Sequence, residues 1–282
     1  MRLALATALT MIAFASNSLL TRLAIEGDHI DPSSFALVRV VSGALVLGMV
    51  MTLRGGGLPL LRRRRLPGAF SLAVYLVGFS LAYLTLDAGL GALILFGVVQ
   101  IAMFAHGMAT GSAPGARQLA GGGIAFFGLL IALWPGPGGV ADPAGAALMV
   151  LAGLGWAAYS IIGRRARDPL AATAANFLLC VPMLLVLLTG TGLRFGPTGV
   201  ALGILCGGLT SGLGYALWYW VLPQLTGAVA AIVQLSVPII AILAGALLLG
   251  EAVGPSVILA TLLVVGGIGL SLTAGSAQAD RS

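Results

Sequence analysis

The charged residues of this chain fall almost entirely in short gaps between apolar runs long enough to cross a bilayer. An α-helix rises ~1.5 Å per residue, so a run of about 20 apolar residues spans the ~30 Å hydrocarbon layer. Only helices and closed barrels satisfy their own backbone there. Of 282 residues, 59% are hydrophobic and 8% are charged, too few charges to cover the surface of a soluble domain. The chain is therefore expected to be an all-α membrane protein. Cys180 and Cys206 both lie inside apolar runs and offer no disulfide framework.

The first five spans are predicted near residues 3–24, 34–53, 67–86, 88–109 and 116–134, and the second five near 143–163, 170–189, 196–221, 226–249 and 253–273. Turn-forming breaks separate them at Asp31-Pro32, Leu66-Pro67, Pro135 to Gly139, Asp168-Pro169, Gly196-Pro197 and Gly254-Pro255. With both termini cytoplasmic, Arg2, Arg54, Arg62 to Arg65, Arg117, Arg164, Arg165, Arg167 and Arg281 collect on the cytoplasmic side. The opposite loops hold Glu26, Asp28, Asp31, Asp87, Asp142 and Glu251, with Arg194 and, at the end of the first span, Arg22 as the basic residues. Short basic loops resist translocation, so this bias sets the topology. The net charge of +6 then records membrane insertion and contact with anionic lipid rather than nucleic-acid binding. The first span is read as a retained helix, because its apolar run is too long for a signal-peptide core.

Five spans followed by five more put the two halves in opposite orientations. Asp31-Pro32 recurs as Asp168-Pro169, and the Gly-Ala-rich stretch Gly89 to Ile94 recurs at Gly227 to Ile232. Such inverted repeats are a mark of secondary transporters. The expected repeats are 1–137 and 138–282. Within the second half, Ser211 to Tyr219 (SGLGYALWY), Thr226 to Ala231 (TGAVAA), Val237-Pro238 and Gly245 to Glu251 (GALLLGE) together resemble the EamA-type branch of the drug/metabolite transporter superfamily. Ser16-Asn17-Ser18, Arg39 and Gly89 to Ala92 occupy corresponding positions in the first half. The segment Leu81 to Ala125 most resembles bacterial aromatic amino-acid exporters within that superfamily. Gly111-Ser112 and Val237 depart from it by lacking carboxylates that many members carry.

Other chemistries are poorly provided for. The chain has no lysine, which removes a phosphate-binding P-loop and Schiff-base catalysis. His29 and His106 are too few for a multi-histidine metal site. No metal site, no cofactor and no enzymatic activity are expected. The acids all lie toward span ends or outside them, so no interior carboxylate is available for proton or sodium coupling.

Candidate substrate contacts are the interior amides and rings. Asn17, Gln100 and Gln234 both donate and accept hydrogen bonds, to substrate or to a neighbouring helix. Tyr75, Phe79 and Tyr83 recur every four residues and share one helix face. Trp156 and Tyr159 on the sixth span, with Tyr215 and Trp218 on the eighth, complete the set, serving as ligand contacts or as interfacial and packing rings. Gly107, Gly111 and Pro238 are candidate hinges. His106 is a possible titrating group, a structural hydrogen bond being the alternative. Arg39 is expected to snorkel outward or to pair with Glu26, Asp28 or Asp31.

The reading that follows is an exporter of aromatic and other neutral amino acids in a bacterial inner membrane. It works by alternating access, driven by the substrate's own gradient, as monomer or homodimer. A broad exporter of drugs or flat organic cations is the alternative within the class. A gated channel or a non-transporting membrane scaffold is the alternative outside it.

Overall fold

The computed structural model describes residues 2–55, 57, 65–110, 116–133, 141–164, 168–187, 192–221, 224, 233–234 and 236–279. The first half contributes α1 (Arg2–Glu26), α2 (Pro32–Leu53), α3 (Leu66–Ala82), α4 (Ala88–Ala109) and α5 (Ala116–Leu133). The second contributes α6 (Pro143–Arg164), α7 (Pro169–Leu187), then α8 (Pro197–Ile204) continuing through a π-helical stretch Leu205–Leu213 into α9 (Gly214–Val221). After it come α10 (Ser236–Ala244), ending in a π-helical turn Gly245–Leu249, and α11 (Pro255–Ala279). Among the described residues no strand forms beyond an isolated bridge between Ile30 and Phe195. Five helices are long and apolar enough to cross a bilayer on their own, and five shorter apolar ones complete the bundle. The expected break between residues 137 and 138, the Arg62 to Arg64 run and Gly111 lie outside the described residues.

The repeated Asp-Pro pairs are helix starts. Asp31 Oδ1 accepts from the Ser33 and Ser34 N–H groups, both at 3.0 Å. Asp142 caps Gly145 N at 2.8 Å and Asp168 caps Ala171 N at 3.1 Å. Each following proline occupies the first helical position, where no amide hydrogen is needed. Asp87 stands before α4 but makes no such bond. Glu251 does the work from the far half, accepting from Ala88 N at 2.6 Å and Gly89 N at 3.3 Å.

Side-chain ties at the two ends of the bundle settle the direction of each half. At one end, Arg22 reaches Glu26 at 3.0 Å and Asp87 at 3.6 Å, Arg194 pairs with Asp28 at 2.7 Å, and Thr85 donates to Asp142 at 3.0 Å. At the other end, Arg54 pairs with Asp168 at 3.2 Å. So α1 finishes where α6 begins, and α2 starts at the end opposite to α7. The halves are inserted oppositely. Packing follows the same exchange: α3 lies on α6 as α1 lies on the α8–α9 segment, and α5 lies on α11. The α5–α11 pair is peripheral, with Phe126, Phe127, Ile258 and Leu262 turned outward.

Close approach depends on missing side chains. A Cβ on Gly207 would collide with the Ser42 hydroxyl and the Arg39 carbonyl, so only glycine lets the π-helical stretch sit on α2. Gly207→Ala is expected to abolish or sharply reduce monodisperse protein in fluorescence-detected size exclusion, overpacking costing ~1–3 kcal/mol. Gly48→Ala, whose new methyl would meet nothing within 4 Å, should behave as wild type. Burial works against ionisation of Asp31, but bonds from the Ser34 side chain and from the Arg194, Ser34 and Ser33 amides outweigh it and hold its carboxyl below the ordinary 3.8. A lowered carboxylate contributes stability above that value and loses it as pH falls through its folded-state value. The melting temperature should therefore hold between about pH 8 and 5 and drop below about pH 4. Asp31→Ala should cost ~1–2 kcal/mol at neutral pH and shrink that acid drop, and an unchanged acid limb would rule Asp31 out as its source.

Candidate functional site

Five helices from both halves deliver rings to the middle of the bundle. On α3, Tyr75 and Phe79 meet at 5.3 Å between centroids, and Phe79 meets Tyr83 edge-on at 4.9 Å. From α6, Trp156 lies 4.9 Å from Tyr75 and 5.3 Å from Tyr215 of α9, and stacks on Tyr159 at 5.4 Å. Phe14 of α1 and Phe177 of α7 both stand edge-on to Tyr215, at 5.8 and 5.9 Å. Trp218 closes on Phe14 at 6.0 Å. This continuous aromatic cluster borders a narrow cavity. Phe14, Asn17, Tyr75, Phe79, Trp156 and Tyr215 line it, with Ser18, Leu95 and Phe96. Two rings clasping a third need about 7 Å, twice the van der Waals contact distance, so an entering flat molecule must part these rings.

One wall of the cluster is polar. The Asn17 carbonyl oxygen accepts from Thr210 Oγ1 at 2.7 Å, Ser211 Oγ at 3.0 Å and Cys206 Sγ at 3.3 Å. The π-helical turn carries all three donors, and its wider i to i+5 spacing sets 206, 210 and 211 on one face. Ser211 Oγ in turn accepts from Arg39 Nε at 3.2 Å, and Arg39 Nη2 donates to Tyr75 Oη at 2.9 Å. The guanidinium carbon lies 5.0 Å from the Phe79 centroid and 5.4 Å from that of Tyr75. Arg39 is 0% exposed, and no carboxylate pairs with it among the described residues. An ion removed from water costs several kcal/mol even after relaxation, so neutral hydrogen bonds and ring faces compensate it only in part.

This overturns the expectation that Arg39 snorkels outward or pairs with Glu26, Asp28 or Asp31. Those acids are engaged elsewhere: Glu26 by Arg22, Asp28 by Arg194, and Asp31 by the backbone of its own cap and of Arg194. Seven residues into α2, Arg39 starts ~10 Å below the helix end and faces the stretch that Gly207 lets approach. Arg22, not Arg39, is the arginine that meets Glu26, Asp87 and Glu251, and its Nη1 also donates to the Tyr83 carbonyl at 3.0 Å. That link carries the ionic cluster at the bundle end down onto the aromatic row.

The other sequence candidates are distributed as follows. Tyr83 is fully buried at the closed end of the row, its hydroxyl 3.4 Å from the Ala88 carbonyl. Tyr159 lies behind Trp156 and donates to Thr173 Oγ1 at 3.0 Å. Gln100 is half-buried one helical turn beyond Phe96, and Gln234 is half-buried ahead of α10; neither borders the cavity. His106 lies ten residues past Phe96, ~15 Å along α4. A Cβ on Gly107 would meet nothing within 4 Å, and Pro238 is buried near the start of α10. Arg39 was named from the sequence but expected at the bundle end, and the residues not anticipated are Phe14, Leu95, Phe96, Cys206 and Thr210. The recurrence of Phe14 and Asn17 at three and Cys206 and Thr210 at four residues was the available signal, but apolar helices repeat such spacings everywhere.

The chain resembles known proteins over its whole length. The model of the EamA-like transporter family matches residues 143–273. Uncharacterized protein PA1977 of Pseudomonas aeruginosa is 46% identical over 289 residues, covering 99% of this chain and 98% of that protein. A protein of known crystal structure, 16% identical, shares the fold with a TM-score of 0.70 across 98% of this chain and 99% of its own. Ten helical segments in two oppositely inserted halves, with a buried aromatic cavity, agree with these matches: residues 143–273 are an EamA-like transporter family domain, of the drug/metabolite transporter superfamily.

Proposed function

We propose that the protein exports small, largely apolar molecules with a flat ring, aromatic amino acids among them, by alternating access. In this reading it sits in a bacterial inner membrane with both termini in the cytoplasm, and the substrate's own gradient drives export. The carrying observation is that rings from α1 and α3 of one half meet rings from α6 and α9 of the other, Phe14 against Tyr215 and Trp218, and Tyr75 against Trp156. Rocking the halves against each other separates those rings on one side at a time, which couples substrate stacking to closure. The earlier resemblance of Leu81 to Ala125 to aromatic amino-acid exporters supports the substrate assignment. Gly107, Gly111 and Pro238 remain the proposed hinge positions, with Gln100 and Gln234 as contacts in a state where the cavity extends further along α4 and α10. The chain's acids are all placed at or beyond span ends, which supports gradient-driven movement over proton coupling.

Reconstituted protein is expected to exchange labelled phenylalanine against internal unlabelled phenylalanine. Trp156→Ala removes a ring in contact with Tyr75, Tyr159 and Tyr215. Each ring contact carries ~0.5–1.5 kcal/mol, so the half-saturating concentration should rise about tenfold. Phe127→Ala, on the outward face of α5, should leave it unchanged. Flux without counterflow would indicate a channel, and equal behaviour of the two variants would remove the aromatic cavity as the site.

A further inference from the structure

We propose that Arg39 anchors the anionic group of the transported molecule, so that the substrate class is an organic carboxylate with an apolar, ring-compatible body, and amines lacking a carboxylate are refused. The inference rests on the aromatic-cavity reading above and adds to it the group that is recognised.

The argument begins with donors. A guanidinium stays protonated in proteins and offers five N–H groups in a planar fork. Arg39 uses Nε on Ser211 and Nη2 on Tyr75, and its buried Nη1 has no hydrogen-bond partner among the described residues. Its hydrogen-bond and ring partners among the described residues are neutral, so the charge is compensated only in part. Such an atom is costly to keep unless something supplies the missing acceptor at some point in the working cycle. The residues that hold the fork also border the cavity: Tyr75 and Phe79 directly, and Ser211 through its bond to Asn17. When a flat molecule parts Tyr75 from Trp156, its carboxylate is led towards Nη1 and Nη2, the side-by-side geometry that carboxylates favour. Asn17 is engaged on both sides, its oxygen taking three donors and its nitrogen donating to the Ala13 carbonyl at 3.3 Å, so it fixes Ser211 under the guanidinium. An ammonium placed there instead would meet a like charge across ring faces already occupied by the guanidinium.

A purely structural role for Arg39, tying α2 to α3 and the π-helical stretch, predicts lost stability with unchanged selectivity. The test therefore reads selectivity. Phenylalanine counterflow in proteoliposomes would be competed with 3-phenylpropionate, which lacks the ammonium, and with phenethylamine, which lacks the carboxylate. Phenylpropionate should compete within a fewfold of phenylalanine itself, and phenethylamine about a hundredfold more weakly, as befits a lost charged hydrogen bond. Arg39→Gln should bring the two competitors together, and Arg39→Lys should weaken carboxylates about tenfold while still refusing the amine. If neither variant yields folded protein, a structure of wild type with phenylpropionate bound decides, since a carboxylate beyond hydrogen-bond reach of Arg39 Nη1 overturns the proposal. Phenethylamine exchanging as fast as phenylalanine overturns the anchor and leaves the aromatic reading standing. If no aromatic compound exchanges but hexanoate does so in an Arg39-dependent way, the aromatic reading falls and the anchor stands. Absence of binding by every carboxylate in the panel, or competition reproduced by chloride alone, also overturns the anchor.

Discussion

A charge held in the middle of a bilayer must be enclosed by protein, and in this molecule the enclosure of Arg39 joins the two halves. Its Nε reaches Ser211 of the second half and its Nη2 reaches Tyr75 of the first. For that to happen the π-helical stretch must lie directly on α2, which Gly207 permits, and the ring faces of Tyr75 and Phe79 must stand over the guanidinium. The same residues border the cavity. On the proposed reading, stability of the bundle and affinity for a ligand are drawn from one set of interactions, so a ligand that engages Arg39 would change the balance between the halves.

The two halves are alike in framework and unlike in chemistry. Each opens its second helix with a capping aspartate followed by proline, Asp31-Pro32 and Asp168-Pro169. In the same register after the cap, the first half places Arg39 and the second places Asn176, which is also buried and whose carbonyl oxygen has no partner among the described residues. One half therefore provides a charged donor where the other provides a neutral amide. The cavity wall thus combines a polar part, the chain from Asn17 to Arg39, with an apolar aromatic part that includes Trp156. That asymmetry suits a molecule with one ionic end and one flat apolar end. The bundle end beyond the aromatic row is crowded by Arg22 with Glu26, Asp87 and Glu251, and Glu251 of the second half caps α4 of the first. Separating the halves at that end requires breaking this cluster. Burial raises the Glu251 carboxyl despite the two amides it accepts, so closure there holds a carboxylate at some cost to its ionisation.

Local chemistry made most of the framework legible before any coordinates. Proline after aspartate marks a helix start whatever the surroundings, so the breaks at residues 31–32 and 168–169 fell where the helices begin. The four-residue spacing of Tyr75, Phe79 and Tyr83 placed them on one face, and the structure turns that face inward. Arg39 was misjudged because distance from a helix end says where a side chain starts, not what approaches it. The decisive neighbour, Gly207, is 168 residues away in the chain and acts by having no side chain.

The sequence by itself determined the number of apolar segments, their ends, and the opposite insertion of the halves. These follow from solvent: hydrocarbon excludes charge and unpaired backbone, and each segment answers that demand alone. Tertiary structure decided which polar groups face one another, the π-helical register that turns Cys206, Thr210 and Ser211 together towards Asn17, and the burial of Arg39 without a carboxylate. Those depend on side chains from distant segments meeting within about 3 Å, the reach of a hydrogen bond, and nothing in the local run of either segment carries that information.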